Sequence, residues 1–202
     1  MKPPVRVPIL VLIAALLVGA ALTAGCEASV STGGSTGGTT SYNNDQYGFS
    51  FQIADRFKEG DSASFSQSAG NAAFNVGFLD PDGATSGGQI IDAFMTSVYV
   101  LNQEITPDLM PALRSELEKT LEQLAANDSS VQMQPLAETT VNGVPGFKTD
   151  YTMDMSGTPV QARTYFLVKG DTEYQITIQS STENWPKNEP DLQKAVDSFK
   201  VK

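Results

Sequence analysis

Between Phe147 and Ile178 the chain alternates apolar and polar side chains through three consecutive runs. No other feature restricts the fold as much. Phe147, Thr149, Tyr151, Met153 and Met155 alternate with Lys148, Asp150, Thr152, Asp154 and Ser156, a period of two that places one set on each side of a strand. Ser156-Gly157-Thr158-Pro159 reads as a turn, after which Val160, Ala162, Thr164, Phe166 and Val168 share a face. Lys169-Gly170-Asp171-Thr172 turns the chain again into Tyr174, Ile176 and Ile178. Runs joined so tightly predict an antiparallel meander. A further strand near Val131–Val141 joins it through Asn142-Gly143, a strong hairpin signal.

The remainder reads as strands, helices and a closing helix. Phe49-Ser50-Phe51-Gln52-Ile53 alternates as a half-buried strand, and Ala63–Gln67 and Ala72–Leu79 are two more, with hairpin chemistry at Ser68-Ala69-Gly70-Asn71. Asp80-Pro81-Asp82-Gly83 breaks the last of these and opens a glycine-rich loop. Ile90, Ile91, Phe94, Met95, Val98 and Leu101 recur at helical spacing and predict a first helix. Thr106-Pro107-Asp108 starts a second, with Leu113, Leu117, Leu121 and Leu124 inward and Arg114, Glu116, Glu118, Lys119 and Glu122 outward. Asn127 marks its stop. Leu192, Ala195, Val196 and Phe199 form the stripe of a last helix. The expected class is α+β, with helices covering a mostly antiparallel sheet.

The N-terminus reads as an address. Lys2 and Arg6 precede a continuous apolar run, Val7 to Leu22, the layout of a secretory signal. Its end, Leu22-Thr23-Ala24-Gly25-Cys26, resembles the bacterial lipobox, with Thr23 where a larger apolar residue is commonest. That resemblance implies a diacylglycerol on the Cys26 thiol and cleavage just before it. An uncleaved membrane anchor and an incidental thiol after an ordinary signal are the other readings. Glu27–Ser41 is Gly, Ser and Thr with almost nothing apolar, and reads as a flexible tether. Its repeated STGG lacks the Lys-Ser/Thr ending of a phosphate-binding loop. The expected division is 1–25 signal, 26–41 lipidated cysteine and tether, and 42–202 folded domain. The product is expected at the cell membrane, lipid-anchored on the extracytoplasmic face.

Composition narrows the chemistry. The chain has 202 residues, no histidine and one cysteine. Ser-His-Asp and Cys-His catalysis, an imidazole metal site and an internal disulfide are thereby excluded. A formal charge of -10 argues against nucleic acid. Anionic headgroups repel such a surface, so the acyl group has to supply membrane attachment. Gly60-Asp61-Ser62 has the letters of an esterase block but no histidine base to serve it. Acid pairs could in principle hydrolyse a glycoside, though among 23 acids some lie close by chance. Asp80 and Asp82 offer two carboxylates to a hard cation but lack the remaining ligands of a calcium loop, and a turn accounts for them. Trp185 could anchor a partner or pack at the entry to the last helix. No catalytic residue and no cofactor is expected.

Three segments carry a family likeness. Tyr47-Gly48-Phe49-Ser50-Phe51 leading into Phe57, the NGVPGFKTDYTM segment from Asn142 to Met153, and the ARTYFLVKGDTEYQITIQS meander with the closing DLQKAVDSFKV resemble PsbP-type domains. Mog-type Ran-binding proteins and actinobacterial Lpq-type lipoproteins share that fold. The likeness spans Tyr42–Lys202 and implies an α/β/α sandwich used as a binding module, not an enzyme. PsbP docks on a photosystem and supports retention of its ions, and Mog-type proteins bind a GTPase; no residue set for either partner is matched here. The expected function is a non-catalytic binding or scaffolding module for an envelope protein. The alternative is a lipid or small-molecule carrier with a cavity between the sheet and the Ile90–Leu124 helices, and a carboxylate hydrolase stands third.

Overall fold

The computed structural model describes residues 37–60 and 71–202. The signal, Cys26, the tether up to residue 36, the strand expected over Ala63–Gln67 and most of the Ser68–Asn71 turn lie outside the described residues. Among the described residues, seven strands precede the first helix: β1 (Thr39–Asn44), β2 (Phe49–Ala54), β3 (Lys58–Glu59), β4 (Phe74–Leu79), β5 (Thr85–Ser86), β6 (Gln89–Ile90) and β7 (Ala93–Val100). A 3₁₀ turn, Pro107–Leu109, leads into helix α1 (Met110–Asn127). Then come β8 (Gln132–Met133), β9 (Ala137–Val141), β10 (Val144–Met155), β11 (Thr158–Lys169), β12 (Thr172–Ser181), helix α2 (Trp185–Ser198) and β13 (Lys200–Val201).

The main sheet runs β3-β4-β7-β12-β11-β10-β8, with β9 also on β10, and every pairing is antiparallel. The fold is α+β, with two α-helices among the described residues. All three expected turns are present, at Asn142-Gly143, after Met155 and after Lys169. Asn142 and Gly143 have φ of 46° and 84°, and Ser156 and Gly157 have 51° and 87°, the two left-handed residues that twist-matched hairpins need. The second turn is therefore shorter than expected, and Thr158 already belongs to β11.

Each face of this sheet meets a different layer. On the first face Phe78, Phe94, Val98, Ile176, Ile178 and Leu167 pack against Phe49, Phe51 and Ile53 of β2 and against Leu192, Ala195, Val196 and Phe199. The three-stranded sheet β1-β2-β13 and α2 thus cover it together. On the second face Phe147, Phe166 and Val168 pack against Leu113, Leu117 and Leu121 of α1. The helical stripe read from α1 is the stripe that is buried, except that Leu124 is half-exposed. β1 begins at Thr39, three residues before the expected domain start, so the end of the Gly/Ser/Thr stretch pairs with β2.

The helix expected over Ile90–Leu101 does not form: Ile90 ends β6, and Ala93–Val100 is the strand β7. β7 pairs with β4 on one edge and β12 on the other, in the middle of the sheet. Phe94, Thr96 and Val98 lie on the first face, while Ala93 and Tyr99 are buried on the second. A strand buried on both sides loses its polar–apolar alternation, and its apolar residues then fall by coincidence at helical spacing. The Val131–Val141 strand is also corrected: it is two short strands, β8 and β9, separated at Gln134–Leu136.

Gly146 shows how closely β10 and β11 approach. A Cβ there would sit 2.9 Å from Leu167 Cα and overlap the carbonyl oxygen of Phe166. Gly146→Ala is expected to cost about 1–3 kcal/mol, the usual range for overpacking. Urea unfolding measures it, and an unchanged midpoint would show that the pair separates freely.

Candidate functional site

Two constellations of polar side chains stand out in this domain. The first is a brace joining the Asp80–Asp92 loop to β12 and α2. Asp92 is 0 % exposed and accepts four hydrogen bonds: from the Ala84 amide (3.0 Å), the Ser181 amide (3.0 Å), the Ser180 hydroxyl (2.8 Å) and the Asn184 side chain (2.9 Å). Burial alone would raise its pKa, but these four donors outweigh it and hold the carboxyl below its ordinary value. Ser180 in turn accepts from Asn188 Nδ2 at 3.0 Å, and Asn188 Oδ1 accepts from Arg56 at 3.0 Å. The same guanidinium reaches Asp80 at 2.5 Å and Asp191 at 3.4 Å, and lies 4.3 Å above the Phe57 ring.

This brace absorbs the sequence-derived metal candidates. Asp80 is buried, and its carboxylate takes Arg56 and the Asp82 amide. Asp82 itself is exposed. Among the described residues, no group of three or more His, Cys, Asp or Glu side chains is placed to hold a metal ion. The Asp80–Gly83 segment is a turn, with the Gly83 amide donating to the Asp80 carbonyl at 2.9 Å. Trp185 does not project. It is 8 % exposed at the first position of α2, packed in the first-face core. Asp61 and Ser62 of the Gly-Asp-Ser block lie outside the described residues.

The second constellation is a buried polar stretch on the second face, beside the residues that α1 covers. Thr149, Thr164 and Thr177 form one row across β10, β11 and β12. Thr149 donates to the Gln134 carbonyl at 2.6 Å, and Thr164 and Thr177 share a hydrogen bond of 2.8 Å. Glu173 stands on the same face, 2 % exposed, and accepts from Gln175 Nε2 at 3.1 Å. Burial pushes its carboxyl up to about 7, with the Gln175 bond working weakly the other way. The corrected β7 also changes the expected carrier cavity. Its helical roof reduces to α1, whose Leu113 and Leu117 are buried on Phe147 and Phe166.

Sequence reading missed Arg56, Asp92, Glu173, Ser180 and Asn188. Only the first two carried a signal, as charges beside apolar runs; Glu173 sits next to a turn, where an acid is ordinarily solvated.

Residues 104–201 match the PsbP family model. The match runs from the start of the α1 region through the meander to β13, whereas the family likeness in sequence was expected from Tyr42. The matched part shares one sheet with what precedes it, since β7 pairs with β12. Solved structures extend the likeness over most of the chain. LpqN, described as involved in cell envelope biogenesis of Mycobacterium tuberculosis, aligns with a TM-score of 0.57 at 10% identity, over 81% of this chain and 90% of LpqN. Cyanobacterial PsbP (CyanoP) of Synechocystis sp. PCC 6803 aligns with 0.53 at 13%, over 86% and 98%. A Bacteroides thetaiotaomicron protein aligns with 0.52 at 12%, over 80% of this chain but 48% of its own, so the chain spans about half of that protein. At these identities the likeness is one of fold. No curated protein matches the chain in sequence.

Proposed function

We propose that this chain is an extracytoplasmic lipoprotein of the cell envelope whose PsbP-like domain is a non-catalytic binding module for an envelope protein. The observation that carries this reading is the state of the brace. The carboxylates, serine and guanidinium that could perform chemistry are spent on one another: Asp92 on four donors, Ser180 on Asp92 and Asn188, Arg56 on Asp80, Asp191 and Asn188. Such a network rigidifies a loop against a helix and leaves no free nucleophile–base pair there. The shared fold with LpqN supports an envelope setting. The lipobox-like Leu22–Cys26 supports the attachment.

Proximity crosslinking on intact cells, followed by mass spectrometry, tests the module. One dominant envelope protein is the expected result, and a diffuse set of neighbours across replicates counts against an adaptor. The anchor has its own test. Cys26→Ser is expected to move the protein from the membrane to the soluble fraction. The wild-type N-terminal peptide is expected to begin at Cys26 and carry the mass of its acyl groups. An unmodified wild-type cysteine sinks the lipoprotein reading.

A further inference from the structure

Glu173 is a buried acid that no cation answers. Its direct partners in the sheet are Tyr99 on β7 and Val168 on β11, and all three are buried. Directly opposed residues project to the same side of a sheet. Glu173 accepts from the Gln175 amide at 3.1 Å, while burial raises its pKa. The charged groups on the surrounding elements are engaged elsewhere. Arg114 of α1 binds Glu118 and the Leu136 carbonyl, and Lys169 binds the Val201 and Lys202 carbonyls. Glu104, Asp108 and Asp171 are exposed acids, and Asp108 accepts from the Thr106 hydroxyl. Ionising Glu173 therefore adds a negative charge to a region that already carries three.

At this end of the sheet the chain from Leu101 to Leu109 connects β7 to α1. Val168, beside Glu173, belongs to one apolar cluster with Leu101 and Ile105, and Leu109 packs against it. Among the described residues, two backbone hydrogen bonds tie this connection to the β11–β12 turn. The Leu101 amide donates to the Asp171 carbonyl at 2.7 Å, and the Ile105 amide to the Gly170 carbonyl at 2.8 Å. Between these ties lies a cleft of about 370 Å³, lined by Leu101, Asn102, Gln103, Glu104, Gly170 and Asp171. The strands beside Glu173 are held far more firmly. β12 pairs with β11 along Thr172–Ser181 and with β7 along Thr172–Gln179. The connection is thus the element here that can part from the sheet without breaking it.

We infer that the Leu101–Leu109 connection is a pH-gated strap, closed on the sheet while Glu173 is protonated and lifted when that carboxyl ionises. A buried carboxylate with a single amide donor lacks the solvation that water would give it. Lifting the strap admits water, at the cost of two backbone bonds and the packing of Leu101 and Ile105. The open strap restores an ordinary carboxyl, so the closed one binds the proton more tightly. Closure is therefore favoured at low pH and weakens as pH rises from 4.5 to about 7. Opening uncovers Val168, an apolar side chain that is closed off again on acidification.

Amide hydrogen exchange of the full chain at pH 5 and pH 8, corrected for the intrinsic rate at each pH, tests the strap beside Glu173→Gln. In the wild type the Leu101 and Ile105 amides are expected to lose roughly a hundredfold of protection between the two pH values. The Ile176 amide, in the middle of β12, is expected to exchange more slowly than both throughout. In Glu173→Gln the two strap amides are expected to keep their protection at pH 8. Strap amides that exchange in step with Ile176 at both pH values overturn the proposal, since the opening is then global unfolding. So does wild-type protection that is equal at pH 5 and pH 8, or a loss that Glu173→Gln retains.

Discussion

Replacing Glu173 by glutamine is expected to stabilise the protein by up to about 3 kcal/mol above pH 7 and to leave it unchanged near pH 4. The carboxyl is 2 % exposed and its pKa is raised from 4.5 to about 7. A group whose native pKa lies above its unfolded value holds its proton more tightly in the folded state. Between pH 4.5 and about 7 the native protein therefore binds more protons than the unfolded chain, and stability falls as pH rises through that window. The size follows from roughly 1.4 kcal/mol for each tenfold difference in proton affinity between the folded and unfolded chain. Glutamine keeps the acceptor for Gln175 while removing the titration. Urea unfolding at pH 4.5, 6 and 8 measures the effect, and parallel pH profiles for wild type and variant would refute it.

Asp92→Asn should act in the opposite direction, with a loss of about 3–5 kcal/mol at neutral pH. The substitution keeps the volume but sets an NH₂ group against donors from Ala84 and Asn184, or from Ser180 and Ser181, according to its rotamer. Two buried donors then lose a charged acceptor, at roughly 1.5–3 kcal/mol each. The pH dependence is also opposite to that of Glu173. The native pKa of Asp92 is depressed below 3.8, so its contribution is present above that value and is lost as pH falls through the native pKa. The variant should accordingly show a shallower acid limb. Asp82→Asn, on the same loop but exposed, is the control, expected within about 0.5 kcal/mol of wild type. Equal effects of the two substitutions would show that the brace contributes nothing.

These two acids mark where sequence reading stopped. Glu173 follows the Gly170–Thr172 turn, and its neighbours give no reason to expect burial; it is buried because β12 lies between β7 and β11. Asp92 sits between two strands, and its partners come from Ala84, eight residues back, and from Ser180, Ser181 and Asn184, about ninety residues on. No window along the chain contains such a set. Trp185 has the converse history: an aromatic beside a proline reads as an anchor or a packing residue, and only the core around Phe49, Phe199 and Leu192 assigns it to packing.

What the sequence determined by itself is local. Alternation set the faces within β10 and β11, left-handed turn residues joined them, and a leucine stripe with an early proline placed α1. These signals are read by the backbone within a few residues, so they survive without knowledge of neighbours. The tertiary structure decided the rest. It made Ala93–Val100, read as part of a helix, a central strand because β4 and β12 offered hydrogen bonds to both of its edges. It also turned Tyr174, Ile176 and Ile178 to the face opposite Phe147 and Phe166. Register across strands, and the burial of polar groups that follows from it, are properties of pairs far apart in the chain, and only the folded sheet brings those pairs together.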